Sequence, residues 1–326
     1  MPQTSFNADV FRRCGWIGPL WLLLVWLGRA DVSVLTWNVA GNSFTNFALW
    51  TTNAPELQAA GRIAGYLQAD VLTLQEIPFV KSYELTNFVK AFLPGYSVVY
   101  NSGTDGFLRS AILSRFPILG SQSHLDGVSL SAFGSSSHFT RDLFEAQIAV
   151  PGWPWPLHVF TTHLKSGSTT DDLSRRGAEA LAISNYLAHT FVAQFPQRPF
   201  VLTGDFNEDT AKPRNAALNP IPPVVNAATT LRLLTPLNPS TGSERTWSIR
   251  GSSLTYRFDY VLPSALLGSN VISSQVFRTD RATGLPASVN RTDNATASDH
   301  LPVLVRFADP FPKTFTITQT AYQMDW

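Results

Sequence analysis

The 326-residue sequence contains few cysteines and few charged residues, and each scarcity excludes a class of protein. Its single cysteine excludes a disulfide-stabilised scaffold and a zinc site built from several thiolates. Charged residues make up only 14% of the chain, and 24 Lys and Arg balance 23 Asp and Glu. This composition excludes disorder driven by charge, a coiled-coil rod, and bulk electrostatic attraction to nucleic acid.

An apolar run near the N-terminus predicts that the protein is exported. Arg12 and Arg13 precede an uncharged stretch at 14–28, which is shorter than the about 20 residues that a membrane-spanning helix needs. A basic flank, a short apolar run and small residues at Gly28 and Ala30 are typical of a secretory signal. We therefore expect residues 1–30 to be a signal peptide cleaved after Ala30, which leaves a periplasmic or extracellular protein. An uncleaved membrane anchor is the alternative.

The rest of the chain alternates between short β-branched runs and amphipathic stretches, which predicts an α/β fold in one domain at 31–307, followed by a C-terminal tail at 308–326. The predicted strands are 32–38, 71–76, 96–100, 110–114, 144–150, 157–163, 200–205, 258–262 and 302–307. One helix is predicted from a cap at Asn53 to Gln68, with Pro55 in its first turn. A second is predicted at 172–190, with Leu173, Ala180, Leu181, Ser184 and Leu187 facing inward. Many strands and few helices favour stacked sheets with helices outside.

Several predicted strands end or begin with the same small set of polar residues. These residues are Asn38, Glu76, His163, Asp205, Asn207, Asp259, Asp299 and His300. Each alone is more often a packing or turn residue, but parallel strands deliver their carboxyl ends to one edge of a sheet. A pocket of carboxylates, amides and imidazoles without thiols favours Mg²⁺, Mn²⁺ or Ca²⁺. With a base to activate water, such a pocket suits attack on a phosphate ester.

The ordered motifs that carry these residues resemble those of the endonuclease/exonuclease/phosphatase superfamily. They are T-W-N at 36–38, L-Q-E at 74–76, S-R-F-P-I at 114–118, T-H-L at 162–164, G-D-F-N at 204–207, F-D-Y-V at 258–261 and S-D-H at 298–300. The superfamily includes pancreatic-type DNases, abasic-site endonucleases, neutral sphingomyelinases and inositol polyphosphate 5-phosphatases. The resemblance extends from Val32 to Phe307. It implies a four-layer sandwich of two packed mixed β-sheets flanked by helices, and metal-dependent hydrolysis of a phosphate ester.

The resemblance also implies a role for each residue. Glu76 would be the principal metal ligand, with Asn38 and Asp299 in the metal shell. Asp205 would orient or deprotonate the water, and Asn207 would lie at the phosphate. His300 would be paired with Asp259, and His163 would be a second histidine facing the phosphate. Arg141 resembles a phosphate-contacting arginine, and an ordinary solvated arginine is the alternative.

One segment departs from the DNase-like pattern. DNase-like members support the histidine equivalent to His163 with a carboxylate from the strand before S-R-F-P. The corresponding segment here, 106–111, contains no acid. Asp105 is close in sequence, but its alignment is not fixed. The support of His163 therefore stays open.

A secreted nuclease that cleaves phosphodiesters in nucleic acid is the leading functional hypothesis. A sphingomyelinase-type phospholipid diesterase, a phosphomonoesterase and a catalytically silent binding module of the same fold are alternatives. Trp153 and Trp155 could dip into a lipid interface or stack on a base, or else pack over a sheet edge. Lys165, Arg175 and Arg176 form either a basic rim for phosphates or a solvated helical turn. We expect a monomer with no obligate protein partner.

Overall fold

The computed structural model describes residues 30–43, 46–103, 105–249 and 253–311, and within them two mixed β-sheets lie face to face. The strands are β1 (Val32–Asn38), β2 (Val71–Pro78), β3 (Ser97–Tyr100), β4 (Leu108–Ser114), β5 (Ile118–His124), β6 (Leu143–Ile148), β7 (Leu157–His163), β8 (Phe200–Asp205), β9 (Asp259–Pro263), β10 (Val271–Val276) and β11 (Val303–Phe307). The first sheet has the order β10-β11-β1-β2-β4-β3, and the second has the order β5-β6-β7-β8-β9.

Helices cover the outer face of each sheet. They are α1 (Pro55–Leu67), α2 (Glu84–Phe92), α3 (Thr170–Tyr186), α4 (Ile221–Val224), α5 (Ala265–Gly268) and α6 (Asp293–Ala297). Residues of α1 and α2 pack on Leu35, Trp37 and Leu72 of the first sheet. Residues of α3 and α4 pack on Phe160 and Leu202 of the second sheet. The predicted four-layer sandwich is therefore confirmed.

Along the strands, the residues that face the opposite sheet change from apolar to polar. The series are Val34, Thr36 and Asn38 in β1, Val71, Thr73 and Gln75 in β2, Val159, Thr161 and His163 in β7, and Val201, Thr203 and Asp205 in β8. Thr203 Oγ1 donates to Thr73 Oγ1 at 2.9 Å, and Gln75 Nε2 donates to Thr161 Oγ1 at 3.0 Å. Because strand residues alternate between faces, this gradient places the polar ends of both sheets opposite each other.

The two predicted helices form with shifted ends. Helix α1 is capped by Ala54, so the predicted cap at Asn53 is wrong. A residue before proline is driven into an extended conformation, and Ala54 adopts φ −63° and ψ 140° before Pro55. Helix α3 begins earlier than predicted, because Thr169 and Asp172 form a reciprocal capping box. Its end continues as a π-helical segment, Leu187–Val192. Leu181 was predicted to face inward, but it is 43% exposed.

Strands β5 and β10 were not predicted from the sequence. Both are edge strands, and most of their residues are exposed or half-buried. No described helix is long and apolar enough to cross a membrane. The predicted signal peptide, apart from Ala30, lies outside the described residues, as do residues 312–326 of the predicted tail.

Candidate active site

Asn38 joins carboxylates from the two sheets at the polar end of the sandwich. Its Nδ2 donates to Glu76 Oε1 at 3.0 Å and to Asp205 Oδ2 at 2.9 Å. All three residues are buried; Asn38 and Asp205 end β1 and β8, and Glu76 lies two residues before the end of β2. The structure therefore brings Asn38, Glu76 and Asp205 into one cleft.

A backbone irregularity turns Glu76 toward this cleft. The β2–β4 pairing shifts register between Leu74 and Ile77, and Glu76 has a φ of 61°. Strict alternation after Gln75, which faces the second sheet, would point Glu76 to the helical side instead. Bulges next to active sites commonly redirect a side chain in this way. Gly41 allows the neighbouring loop to pass, because a Cβ there would lie 1.9 Å from the Glu76 carbonyl oxygen.

A second cluster contains His300, Asp259 and Asp205. His300 Nδ1 donates to Asp259 Oδ2 at 2.8 Å, and His300 Nε2 lies 3.6 Å from Asp205 Oδ2. Burial lowers the pKa of His300, but the carboxylates of Asp259 and Asp205 outweigh it and raise the pKa to about 10. His300 is therefore a cation at neutral pH.

Ser298 fixes the backbone of the S-D-H segment. Its hydroxyl donates to the Asn38 carbonyl oxygen at 2.7 Å and accepts the His300 N–H at 3.0 Å. Trp37 Nε1 donates to the His300 carbonyl oxygen at 3.0 Å. Sequence reasoning did not assign Ser298 a function, although its place in the motif was a signal.

Asp205 is suited to accept a proton. Burial raises its pKa, and the charge of Asp259 adds to this effect. The Asn207 N–H donates to Asp205 Oδ1 at 2.7 Å, which fixes the orientation of the carboxylate. Asn207 has a φ of 52°, and its Nδ2 donates to the Leu164 carbonyl oxygen at 3.2 Å. Asn207 thus lies beside Asp205 at the edge of the cleft.

His163 lies between the two carboxylates without a hydrogen-bonding partner. Its Nε2 is 3.6 Å from Asp205 Oδ2 and 3.9 Å from Glu76 Oε1. Neither ring nitrogen has a hydrogen bond to any described residue. Burial, then the charges of Arg141 and His300, hold the pKa of His163 well below its usual value. The ring is therefore neutral, which is the form that binds a metal.

The donor set fits a divalent cation. One ligand atom from each of Glu76, His163 and Asp205 lies within 4.8 Å of the other two, and all three residues are buried. Burial raises the pKa of Glu76 as well, so a bound cation would relieve the cost of ionising both carboxylates. Asp299 is not in this group, and its Oδ2 accepts a hydrogen bond from Trp247 Nε1 at 3.2 Å.

Arg141 is only 5% exposed, so the alternative of an ordinary solvated arginine is wrong. Its Nη1 donates to the His163 carbonyl oxygen at 3.1 Å, and its Nη2 donates to Asp105 Oδ2 at 2.6 Å. Asp105 therefore supports Arg141 and not the His163 ring. Arg141 and Glu76 line one depression, which a phosphate could enter.

The expected basic rim does not form as a unit. Arg176 is fully buried, and its guanidinium donates to Glu208 Oε2 at 3.0 Å and to the Lys165 carbonyl oxygen at 2.6 Å. Three residues later on α3, Glu179 accepts the Thr140 N–H at 2.8 Å and the Lys165 N–H at 2.7 Å, one on each carboxylate oxygen. Helix α3 thus holds the segments that carry Arg141 and His163. Sequence reasoning missed Glu179 on α3 and Glu208 in the loop after β8, because charged residues usually face solvent.

Comparison with known proteins agrees with this fold. A model of the Endonuclease/Exonuclease/phosphatase family matches residues 35–300. No curated protein matches the sequence. Truncated TDP2 from Caenorhabditis elegans has a TM-score of 0.58 at 18% identity, over 85% of this chain and 97% of that chain. The 3′ phosphatase NExo from Neisseria, bound to a product DNA hairpin, has a TM-score of 0.57 at 19% identity, over 85% and 99%. TDP2 from D. rerio, complexed with a single-strand DNA product, has a TM-score of 0.55 at 17% identity, over 86% and 99%.

Proposed function

Since the chain belongs to the Endonuclease/Exonuclease/phosphatase family and is a metal-dependent phosphoric ester hydrolase, we propose that its substrates are phosphodiesters of nucleic acid. The observation that carries this proposal is the junction at which Asn38 joins Glu76 to Asp205 beside the unpartnered ring of His163. The DNA products held by NExo and by D. rerio TDP2 support nucleic acid as the substrate class.

The cation is proposed to be Mg²⁺, with Mn²⁺ or Ca²⁺ as alternatives. Glu76 and His163 would hold it, with Asn38 beside them hydrogen-bonded to Glu76, and when bound it would neutralise charge on the phosphate. Asp205 accepts the proton of the attacking water, because its raised pKa makes it a better base than a solvated aspartate. The side chain of Asn207 is proposed to donate to a phosphate oxygen.

Positive charge from the protein faces the same phosphate. His300, kept protonated by Asp259, stabilises charge that develops on the phosphate oxygens. Arg141, held by Asp105, provides a second cation in the depression that Glu76 also lines. In this proposal Asp299 acts at longer range, since its charge also raises the pKa of His300.

The lipid alternative has little support from the tryptophans. Trp153 is 9% exposed, and its ring N–H donates to the Ala30 carbonyl oxygen at 2.9 Å. Trp155 is 45% exposed, but it stacks on the Arg198 guanidinium at 3.6 Å. Both precede β7, whose other end carries His163, so they lie about 20 Å from the cleft. The interpretation that they pack over a sheet edge is favoured.

The test is a substrate panel with purified protein. Single-stranded and duplex DNA, RNA, sphingomyelin vesicles and a phosphomonoester nucleotide are incubated with Mg²⁺ or Mn²⁺, and with EDTA. We expect strand cleavage that EDTA and Glu76→Gln abolish and that Glu56→Gln, outside the cleft, preserves. Release of inorganic phosphate alone would favour the phosphomonoesterase. Cation binding without turnover on any substrate would favour the silent module.

We also propose that the protein is exported. The support is the basic flank at Arg12 and Arg13, the apolar run at 14–28, and Ala30 as a cleavage position. N-terminal sequencing of protein recovered from periplasm or medium should begin at Asp31. An intact N-terminus in the membrane fraction would show an uncleaved anchor instead.

A further inference from the structure

A patch of exposed, mostly aromatic side chains lies beside the catalytic cleft, and none of the steps above uses it. We call this patch the aromatic rim. Its members are Leu49 (62% exposed), Phe79 (40%), Val80 (62%), Tyr83 (57%) and Phe107 (65%). Exposed apolar residues scattered singly need no explanation, but a contiguous group at the edge of a site marks a contact surface.

The rim is held by the backbone and does not collapse onto the core. Asp105 Oδ1 accepts the N–H groups of Phe107 at 3.0 Å and Leu108 at 2.9 Å. The Phe79 N–H donates to the Phe107 carbonyl oxygen at 2.8 Å, which joins the segment after Glu76 to the turn that carries Phe107. These bonds fix the main chain of the rim while its side chains stay in solvent.

The rim is continuous with the catalytic cleft. Phe107 and Phe47 line the same depression as Glu76, Arg141 and Ser166. Asp105 also accepts Arg141 Nη2, so one carboxylate positions both the arginine and the exposed phenylalanine. A group attached to a phosphate that Arg141 binds would therefore contact Phe107.

The chemistry of the rim suits a nucleobase. The Arg109 guanidinium lies 4.9 Å from the Phe79 ring centre, and Lys81 Nζ lies 5.5 Å from the Tyr83 ring centre. Aromatic faces next to cations are the means by which proteins bind unstacked bases and the phosphates between them. A duplex keeps its bases stacked inside, so only a single strand or a frayed end can offer one.

We propose that the aromatic rim, through Phe107, stacks the base next to the scissile phosphate and so gives the enzyme a preference for single-stranded nucleic acid. This inference rests on the proposed cleavage of nucleic acid, whose substrate it specifies further. A lipid surface is the competing occupant.

The test compares two single-stranded oligonucleotides with one cleavable linkage each, flanked either by a normal nucleotide or by an abasic tetrahydrofuran residue. For the unmodified protein we expect loss of the base to lower kcat/KM about tenfold. Phe107→Ala should lower kcat/KM about tenfold on the intact strand and leave the abasic strand almost unchanged. Leu119→Ala, which is 62% exposed on the edge strand β5, is the matched control and should change neither value.

Binding provides a second measurement that does not need turnover. The same two strands are titrated against Glu76→Gln, with and without Phe107→Ala, and their Kd values should show the same coupling between base and ring. If removing the base and removing the Phe107 ring weaken binding independently, so that the two fold-losses of affinity multiply, the inference is overturned. An affinity that neither change alters would overturn it as well. Phe107-dependent binding to phosphatidylcholine vesicles without base coupling would assign the rim to lipid. Coupled binding without cleavage would instead overturn only the proposed hydrolysis.

Discussion

At the scale of single residues, the protein uses buried carboxylates to bind cationic or neutral partners rather than solvent. Asn38 and His163 contact the pair Glu76 and Asp205 in the cleft. A separate buried carboxylate, Glu145, lies between two histidines of the second sheet. Its Oε1 is 2.5 Å from His158 Nδ1, and its Oε2 is 2.7 Å from His124 Nε2. Burial works against the charge of Glu145, but the two histidines outweigh it and lower its pKa to about 2.

This lowered pKa predicts acid-dependent stability. A carboxylate whose pKa is lower in the folded protein contributes stability above its unfolded pKa, about 4.5, and loses it as the pH falls toward 2. The contribution at neutral pH is on the order of 3 kcal/mol. Urea unfolding between pH 6 and 2 should therefore show a decline that is shallower in Glu145→Gln. An equal decline in both proteins would contradict this account, and Glu56→Gln is the control.

The site residues were predictable because they occur where strands end. Asn38, His163 and Asp205 each close an apolar strand, and Glu76 lies two residues before the end of β2. The orientation of Glu76 was not predictable, since it depends on a bulge and a positive φ that the sequence does not reveal. The aromatic rim was also missed, because its members come from three separate turns.

At the scale of elements, β7 and β8 approach more closely than side chains would allow at the end that carries His163 and Asp205. Gly204 has a φ of 136°, and a Cβ there would lie 1.9 Å from the Thr162 carbonyl oxygen. Only glycine tolerates this backbone and this contact. The position next to Asp205 is therefore fixed by backbone geometry.

Gly204→Ala should destabilise the fold and displace Asp205. We expect a loss of about 2 kcal/mol or more, since the new methyl group overpacks a strand pair in a strained conformation. Thermal unfolding and strand cleavage measure the two effects. Gly120→Ala on β5, where a Cβ would meet nothing within 4 Å, is the control. Equal melting temperatures for the two variants would refute the steric argument.

Helix α3 supports the site with charged side chains that are buried against the second sheet and its loops. Arg176 is fully buried against Glu208, whereas the neighbouring Arg175 is partly exposed and donates to the His138 carbonyl oxygen. Arg176→Met should lower the free energy of unfolding by about 3–5 kcal/mol, because a buried carboxylate loses its nearest cation. Arg175→Met should change it by less than about 1 kcal/mol. Chemical denaturation compares the two, and similar losses would show that burial is not the cause.

The edge strands β5 and β10 mark the limit of sequence reasoning at this scale. Interior strands such as β1 and β8 contain buried, β-branched residues, and this pattern identifies them in the sequence. Strand β5 contains Gly120, Ser121, Gln122 and Ser123, and its hydrogen bonds to β6 rather than its side chains define it. The position of β5 therefore depends on its pairing with β6, which its own residues do not reveal.

At the scale of the whole molecule, the near balance of charge does not prevent phosphate chemistry. Many of the charged residues lie inside the protein, where they pair with other buried groups. Among the described residues these are Asp70, Glu76, Arg141, Asp142, Glu145, Arg176, Glu179, Asp205, Glu208, Asp209, Arg257, Asp259 and Asp293. The proposed binding of a phosphodiester would therefore depend on short-range contacts at the cleft more than on a field over the surface.

A divalent cation should stabilise the entire fold, because its ligands come from both sheets. At about a hundred times its Kd, a bound ion adds about 3 kcal/mol to the free energy of unfolding. The melting temperature should rise with Mg²⁺ or Mn²⁺ in the natural protein and in Glu56→Gln, but not in Glu76→Gln. A rise that survives in Glu76→Gln would place the ion elsewhere.

The hydroxyl pair of Thr73 and Thr203 and the contact of Gln75 with Thr161 connect the sheets just below the cleft. The floor of the site is therefore a seam between two separate halves of the molecule. A slide of one sheet along the other would part Asn38 from Asp205 while each sheet kept its own hydrogen bonds. Catalysis therefore depends on the relative position of the two sheets. Low concentrations of denaturant should inactivate the enzyme before its secondary structure is lost.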